Sequence, residues 1–231
     1  MPKALRPRPA GRRRMAPSPV QRTLPRDIVA ELNRTARAGK QHASIARLER
    51  AVELLERDDA KGASSEAAKA KELAPRSAAV REVLGLALYR QQRWREALAE
   101  MQAYRRMSGR ADQNHIIADC ERGLGRPDRA VSLAEEALAA RGVPLEAKAE
   151  AVIVAASALA DMGRFDQALA LLRRVRTRDD VARPDVLRVW YVIADILERS
   201  GRPQEAERMF RKIMRHDPAA YDVAERLAQL G

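Results

Sequence analysis

Residues Cys120–Ala130 read CERGLGRPDRA, and two readings compete for them. The Gly-x-Gly, with Arg126 and Arg129 close behind, has the look of a loop that cradles a phosphate. Such a loop needs a preceding strand and further glycines. The competing reading is a helix ending at Gly125 and a second starting at Pro127. Glycine adopts the left-handed turn that closes a helix without strain, and proline, lacking an N–H, loses nothing in a first helical turn.

The rest of the chain decides between them. Tyr89–Glu100 (YRQQRWREALAE), Cys120–Leu133 (CERGLGRPDRAVSL), Leu159–Leu172 (LADMGRFDQALALL) and Leu197–Phe210 (LERSGRPQEAERMF) share a helix end, a turn residue, an arginine, a bulky residue or proline, and then an alanine. Those alanines, Ala97, Ala130, Ala168 and Ala206, are 33, 38 and 38 residues apart, and Ala63 precedes Ala97 by 34.

A period near 34 built of two helices resembles the tetratricopeptide repeat. When these alanines are placed at position 20 of each repeat, position 8 holds Ala51, Gly85, Ala118, Ala156 and Ala194. Both are positions where two helices cross, and only small residues let the backbones approach. Alanine and glycine are 55 of the 231 residues, so ten small residues in ten places arise by chance about once in a million. Leu54, Leu88, Leu159 and Leu197 at position 11, Met101, Leu172 and Phe210 at position 24, Trp190 at position 4, and Pro75 and Pro218 at position 32 agree. The third repeat departs, with Glu121 at position 11 and Pro127 where a bulky residue is usual. Gly125, Gly163 and Gly201 share position 15, so the quoted Gly-x-Gly is a turn between helices.

The resemblance implies an all-α, right-handed superhelical solenoid of about five helix pairs, near residues 44–76, 78–110, 111–143, 149–181 and 187–218. A capping helix is expected at 219–230, with Val223, Leu227 and Leu230 facing inward. Another helix is expected before the first repeat, stopping at Gly39, with Ile28, Val29 and Leu32 covering an apolar strip of Ile45, Leu48, Val52 and Leu55. Ser77–Met107 and Ile117–Leu138 are further similar to small tetratricopeptide proteins of GC-rich Gram-positive bacteria, over about residues 40–215. That likeness implies no reaction.

Composition narrows the function. Aromatics are only 3 percent, and the apolar residues are mostly Ala, Leu and Val, a mixture that suits closely packed helices. The single cysteine, Cys120, rules out an internal disulfide framework and a thiolate zinc site and fits a reducing cytoplasm. The longest apolar run, Ala151 to Ala160, is far short of the roughly 20 residues that span a bilayer, so no membrane association is expected. Of the net charge of +12, residues 1–26 supply eight basic side chains and no acidic one. Six of the 12 prolines lie in residues 1–25, so residues 1–25 are read as a disordered basic arm. Arg6, Arg8, Arg12, Arg13 and Arg14 are its candidate RNA or DNA contacts.

No catalytic or metal set stands out. His42, His115 and His216 are scattered, and the acidic pairs Asp58–Asp59 and Asp179–Asp180 have no complementary acid, base or oxyanion donor near them. No cofactor and no catalysis are expected. Phe165, Phe210, Trp94 and Trp190 occupy repeat-core positions and are not free to stack on bases.

In such a solenoid the concave face comes from the first helix of each pair. It would present Glu82, Tyr89, Arg90, Asp112, His115, Asp119, Arg122, Glu150, Ser157, Asp161, Arg188, Tyr191, Asp195, Glu198 and Arg199, seven acids against four arginines. The expected partner is a peptide or helix of another protein, basic or mixed in charge. The arm itself is expected to visit this face loosely. A nucleic-acid- or ribosome-associated factor held by the arm is the alternative.

Overall fold

The computed structural model describes residues 24–175 and 183–230. The described residues form α-helices and no strand: α1 (Arg26–Thr35), α2 (Gln41–Glu56), α3 (Ala60–Leu73), α4 (Ala78–Arg90), α5 (Trp94–Ser108), α6 (Asn114–Gly123), α7 (Pro127–Ala139), α8 (Leu145–Asp161), α9 (Phe165–Leu172), α10 (Pro184–Arg199), α11 (Pro203–His216) and α12 (Val223–Leu230). The expected all-α repeat fold is therefore present. Two compact units divide the chain at residues 154 and 155, with α8 running through the division.

In the first unit, α2 packs on α3, α4 on α5 and α6 on α7, while α3 meets α4 and α5 meets α6. The first helices of successive pairs also touch, α2 with α4 and α4 with α6. In the second unit, α10 packs against α9 and α11, and α12 closes on α11.

The small residues explain this pairing. Ala51, Ala63, Ala97, Ala118, Ala130, Ala156, Ala168, Ala194 and Ala206 are each 0% exposed, and Gly85 is buried. A Cβ built on Gly85 would stand 3.0 Å from the Met101 side chain, so the α4–α5 crossing has no room to spare. Met101, Leu172, Trp190 and Phe210 fill the spaces beside the crossings. Trp94 is only half-buried and packs against the core of the second pair. Phe165 also differs from the core placement expected, because it opens α9 and is half-buried there.

The turn after each first helix is the same throughout. Gly125, Gly163 and Gly201 have φ of 76°, 74° and 77°, and the equivalent Asp58 and Gln92 adopt φ of 64° and 60°. Pro127 and Pro203 stand in the first turn of the helices that follow.

The helix before the first repeat ends at Thr35, four residues earlier than expected, and Gly39 lies in the turn after it. Leu32 of α1 covers Leu48, with Ile28, Val29, Ile45 and Val52 around it. Leu55 belongs instead to a cluster with Ala63 and Ala87. Glu31 fastens α1 to the start of α4, its Oε1 accepting hydrogen bonds from Ser77 Oγ at 2.6 Å and from the Ala79 amide at 3.1 Å.

Candidate functional site

The candidate residues fall into two groups, one in each unit. In the first unit Glu82, Tyr89 and Arg90 are on α4, and His115, Asp119 and Arg122 are on α6. Because α4 and α6 lie side by side, their polar residues meet across the repeat boundary. The Tyr89 hydroxyl donates to Asp119 Oδ2 at 2.7 Å, and Arg122 Nε donates to Asp119 Oδ1 at 2.8 Å. Asp119 is thus held by an aromatic hydroxyl from one repeat and a guanidinium from its own. At the start of α6, Gln113 Nε2 donates to Glu82 Oε1 at 2.6 Å, and His115 Nδ1 lies 3.1 Å from the Asp112 carbonyl oxygen. Arg90 turns toward the preceding pair, donating to the Leu55 carbonyl at 2.6 Å and lying 3.6 Å from Asp58.

In the second unit Ser157 and Asp161 are on α8, and Tyr191, Asp195, Glu198 and Arg199 are on α10. Arg199 Nη2 donates to Asp161 Oδ1 at 2.9 Å and stands 3.7 Å from Asp195. The other partners come from the chain end. Tyr191 donates its hydroxyl to Asp222 at 2.6 Å and lays its ring 4.6 Å from that of Tyr221. Arg226 of α12 donates to Glu198 at 2.7 Å and to Asp195 at 3.2 Å. Ser157 is half-buried.

These contacts change the electrostatics expected of the face. In the first unit Arg110 pairs with Asp112 at 2.6 Å, and in the second Arg226 pairs with Asp195 and Glu198, so each group of acids gains an arginine that the sequence count of four did not include. Neither arginine shares the register of the first-helix face, which is why the sequence count missed them. Glu82 stands apart: burial raises its carboxyl above the usual value, with Gln113 opposing and Asp112 adding to the rise. Burial likewise raises Asp195, although Arg226 and Arg199 pull it back.

The two arginines of the quoted stretch also find an anion, and it is internal. Glu121 is 3% exposed, and Arg126 and Arg129 approach its carboxylate at 3.1 and 3.6 Å. The third repeat therefore accommodates its unusual position 11 by ion pairing at the helix end. Cys120 beside it is fully buried, and burial, with Asp119 and Glu121, pushes its thiol pKa up to about 12. That environment is the reverse of the one that activates a cysteine.

Arg6, Arg8, Arg12, Arg13 and Arg14 lie outside the described residues, as do Asp179 and Asp180. Among the described residues no group of histidine, cysteine and carboxylate side chains could hold a metal ion, and no helix is long and apolar enough to cross a membrane.

The tetratricopeptide repeat family model matches residues 153–221. No curated protein matches the chain by sequence. Among solved structures, PilW, a type IV pilus biogenesis factor, is similar at a TM-score of 0.64 and 18% identity, covering 81% of this chain and 88% of its own. A thermophilic tetratricopeptide protein of Thermus thermophilus is similar at 0.64 and 18%, covering 81% of this chain and 98% of its own. YrrB, described as a tetratricopeptide protein with an unusual peptide-binding site, is similar at 0.52 and 20%, covering 76% of this chain and 87% of its own. The fold of the helix pairs is therefore that of tetratricopeptide repeats.

Proposed function

We propose that the protein is a non-catalytic adaptor that binds a peptide or helix of another protein on the first-helix faces of its repeats. Residues 26–231 carry this function, and residues 1–25 are a basic segment whose end departs from the disordered arm expected, Leu24 being 9% exposed and packed with Leu32 and Leu48. The observation that carries the proposal is the Tyr89–Asp119–Arg122 arrangement, in which part-exposed polar side chains of two repeats hold one another in place. A side chain already fixed before binding loses less conformational entropy when a partner arrives. With acids and arginines nearly balanced on these faces, the fitting partner is a segment of mixed charge. YrrB, similar in fold, supports the class by the peptide-binding site its description names.

The reading is tested by affinity capture from lysate with the full chain, with residues 25–231, and with an Asp119→Lys, Arg122→Glu variant, each with and without nuclease. Proteins kept by 25–231, insensitive to nuclease and lost in the double variant are expected. Equal capture by the variant would overturn the assignment.

The charge of residues 1–26 favours one second reading, attachment to RNA or DNA through Arg6, Arg8, Arg12, Arg13 and Arg14. If about six to eight phosphates are neutralised, log affinity should fall against log salt with a slope of about −4 to −7, and removing residues 1–24 should abolish binding.

A further inference from the structure

Two clefts of similar size occupy the same place in the repeat, one in each unit. Each lies where a second helix and the next helix pair meet. The first, about 360 Å³, is bounded by α5, α6 and α7, and the second, about 380 Å³, by α9, α10 and α11. Position 7 is isoleucine in both, Ile117 and Ile193, and position 23 is Leu133 in one and Met209 in the other.

Their charges differ. In the first cleft the cations have carboxylate partners: Arg105 binds Glu136 at 2.7 Å, and Arg129 approaches Glu121 at 3.6 Å. In the second cleft the residue matching Glu136 is Lys212, the one matching Ser132 is Arg208, and the one matching Gln102 is Arg173. Arg215 adds a fourth cation. Among the described residues the only carboxylate lining this cleft, Glu205, is already engaged by Arg202 at 2.6 and 2.8 Å. Arg173, Arg208 and Arg215 are exposed, and Lys212 Nζ sits 3.9 Å from the centre of the Trp190 ring. Beneath the cations lies an apolar floor of Leu169, Ile193, Leu197 and Met209.

We infer that the cleft between α9, α10 and α11 is a second binding site, for an acidic peptide segment whose carboxylates flank one or two apolar side chains. Charge complementarity selects the acid, because three exposed arginines, Arg173, Arg208 and Arg215, converge on the cleft while its described lining holds one carboxylate, Glu205, whose hydrogen bonds go to Arg202. The floor selects the apolar residue, and 380 Å³ admits side chains of that size and number. A single-stranded nucleic acid held through its bases would need an aromatic face on which to stack. Trp190, 2% exposed, and Phe210, 0%, do not offer one, which leaves only the exposed His216 ring, 5.3 Å from that of Trp190. This site is separate from the Tyr89–Asp119 face and does not depend on the function proposed for it.

The test uses the full chain and a fluorescein-labelled peptide, acetyl-Glu-Asp-Leu-Glu-Asp-Leu-Leu-Asp-Glu-amide, followed by fluorescence anisotropy. Arg208→Glu with Arg215→Glu should weaken binding by about tenfold or more and reduce its salt dependence. Arg105→Glu with Arg129→Glu, in the matching cleft of the first unit, should leave affinity within about twofold of wild type. Replacing the three leucines of the peptide by serine should also weaken binding. Circular dichroism confirms the fold of each variant, and Arg208→Ser with Arg215→Ser replaces the reversal if folding suffers. Unchanged affinity in both cleft variants would sink the proposal. So would equal binding of the serine peptide, or tighter binding of a twelve-nucleotide oligothymidylate with the same dependence on Arg208 and Arg215.

Discussion

Arg126 Nη1 lies 3.1 Å from Glu121 Oε2, so a guanidinium just past the end of α6 neutralises a carboxylate buried within it. The contact spans the turn at Gly125, and the turn has its own support in the bond from the Arg126 amide to the Glu121 carbonyl at 2.9 Å.

Replacing the buried acid is therefore expected to help. Glu121→Leu puts the residue found at position 11 of the other repeats into a 3% exposed site and frees Arg126 and Arg129 to hydrate. Desolvating a carboxylate costs about as much as its ion pairs return, so the variant should be equally stable or more stable by about 1 kcal/mol. Urea unfolding followed by circular dichroism checks this, and a loss above about 1 kcal/mol would contradict the assignment.

Gln92 pays for a left-handed backbone that its equivalents obtain from glycine. Its φ is 60° and its side chain is exposed, so Gln92→Gly removes strain and little else. A gain of about 0.5–1 kcal/mol is expected. Gly163→Ala, at φ 74° with open space around the added Cβ, should lose about 1 kcal/mol for the same reason.

The crossings test the repeat register. Ala168→Leu and Ala130→Leu each introduce a branched side chain at a 0% exposed crossing and should cost about 1–3 kcal/mol by overpacking. With Trp94 replaced by Phe, the fluorescence of Trp190, 2% exposed, should resist iodide quenching in the folded protein. Ready quenching there would mean that position 4 is misplaced.

Stability should respond to pH through Glu82. Its carboxyl is raised above 4.5 by burial, opposed by the hydrogen bond from Gln113, with Asp112 and Glu31 adding to the rise and Arg110 countering it. The folded state thus holds this proton more tightly than the unfolded chain. The stabilisation is present below the ordinary carboxylate pKa and is lost as pH rises through the folded value. Glu82→Gln lacks this dependence, so its melting temperature relative to wild type should climb between about pH 4 and pH 7. A flat difference over that range would show that Glu82 is not buried enough to matter.

Much of the fold was legible from residue size and spacing alone. Ten small residues at two positions of a 34-residue period specify where helices cross, because close approach depends on the absence of a side chain, and absence is visible in a sequence. The left-handed turns at Gly125, Gly163 and Gly201 were legible for the same reason. Partnership was not. Arg226 reaches Asp195 and Glu198 from 28 to 31 residues away, and Tyr89 reaches Asp119 from 30. The repeat had already made the Gly125 stretch a turn between helices, but that Arg126 and Arg129 meet Glu121 was visible only in the fold. Long flexible side chains carry no positional period, so which charge meets which is decided only when packing brings their helices together. The charge of a surface is accordingly a property of the tertiary structure, whereas the helix pairs that carry it follow from the sequence.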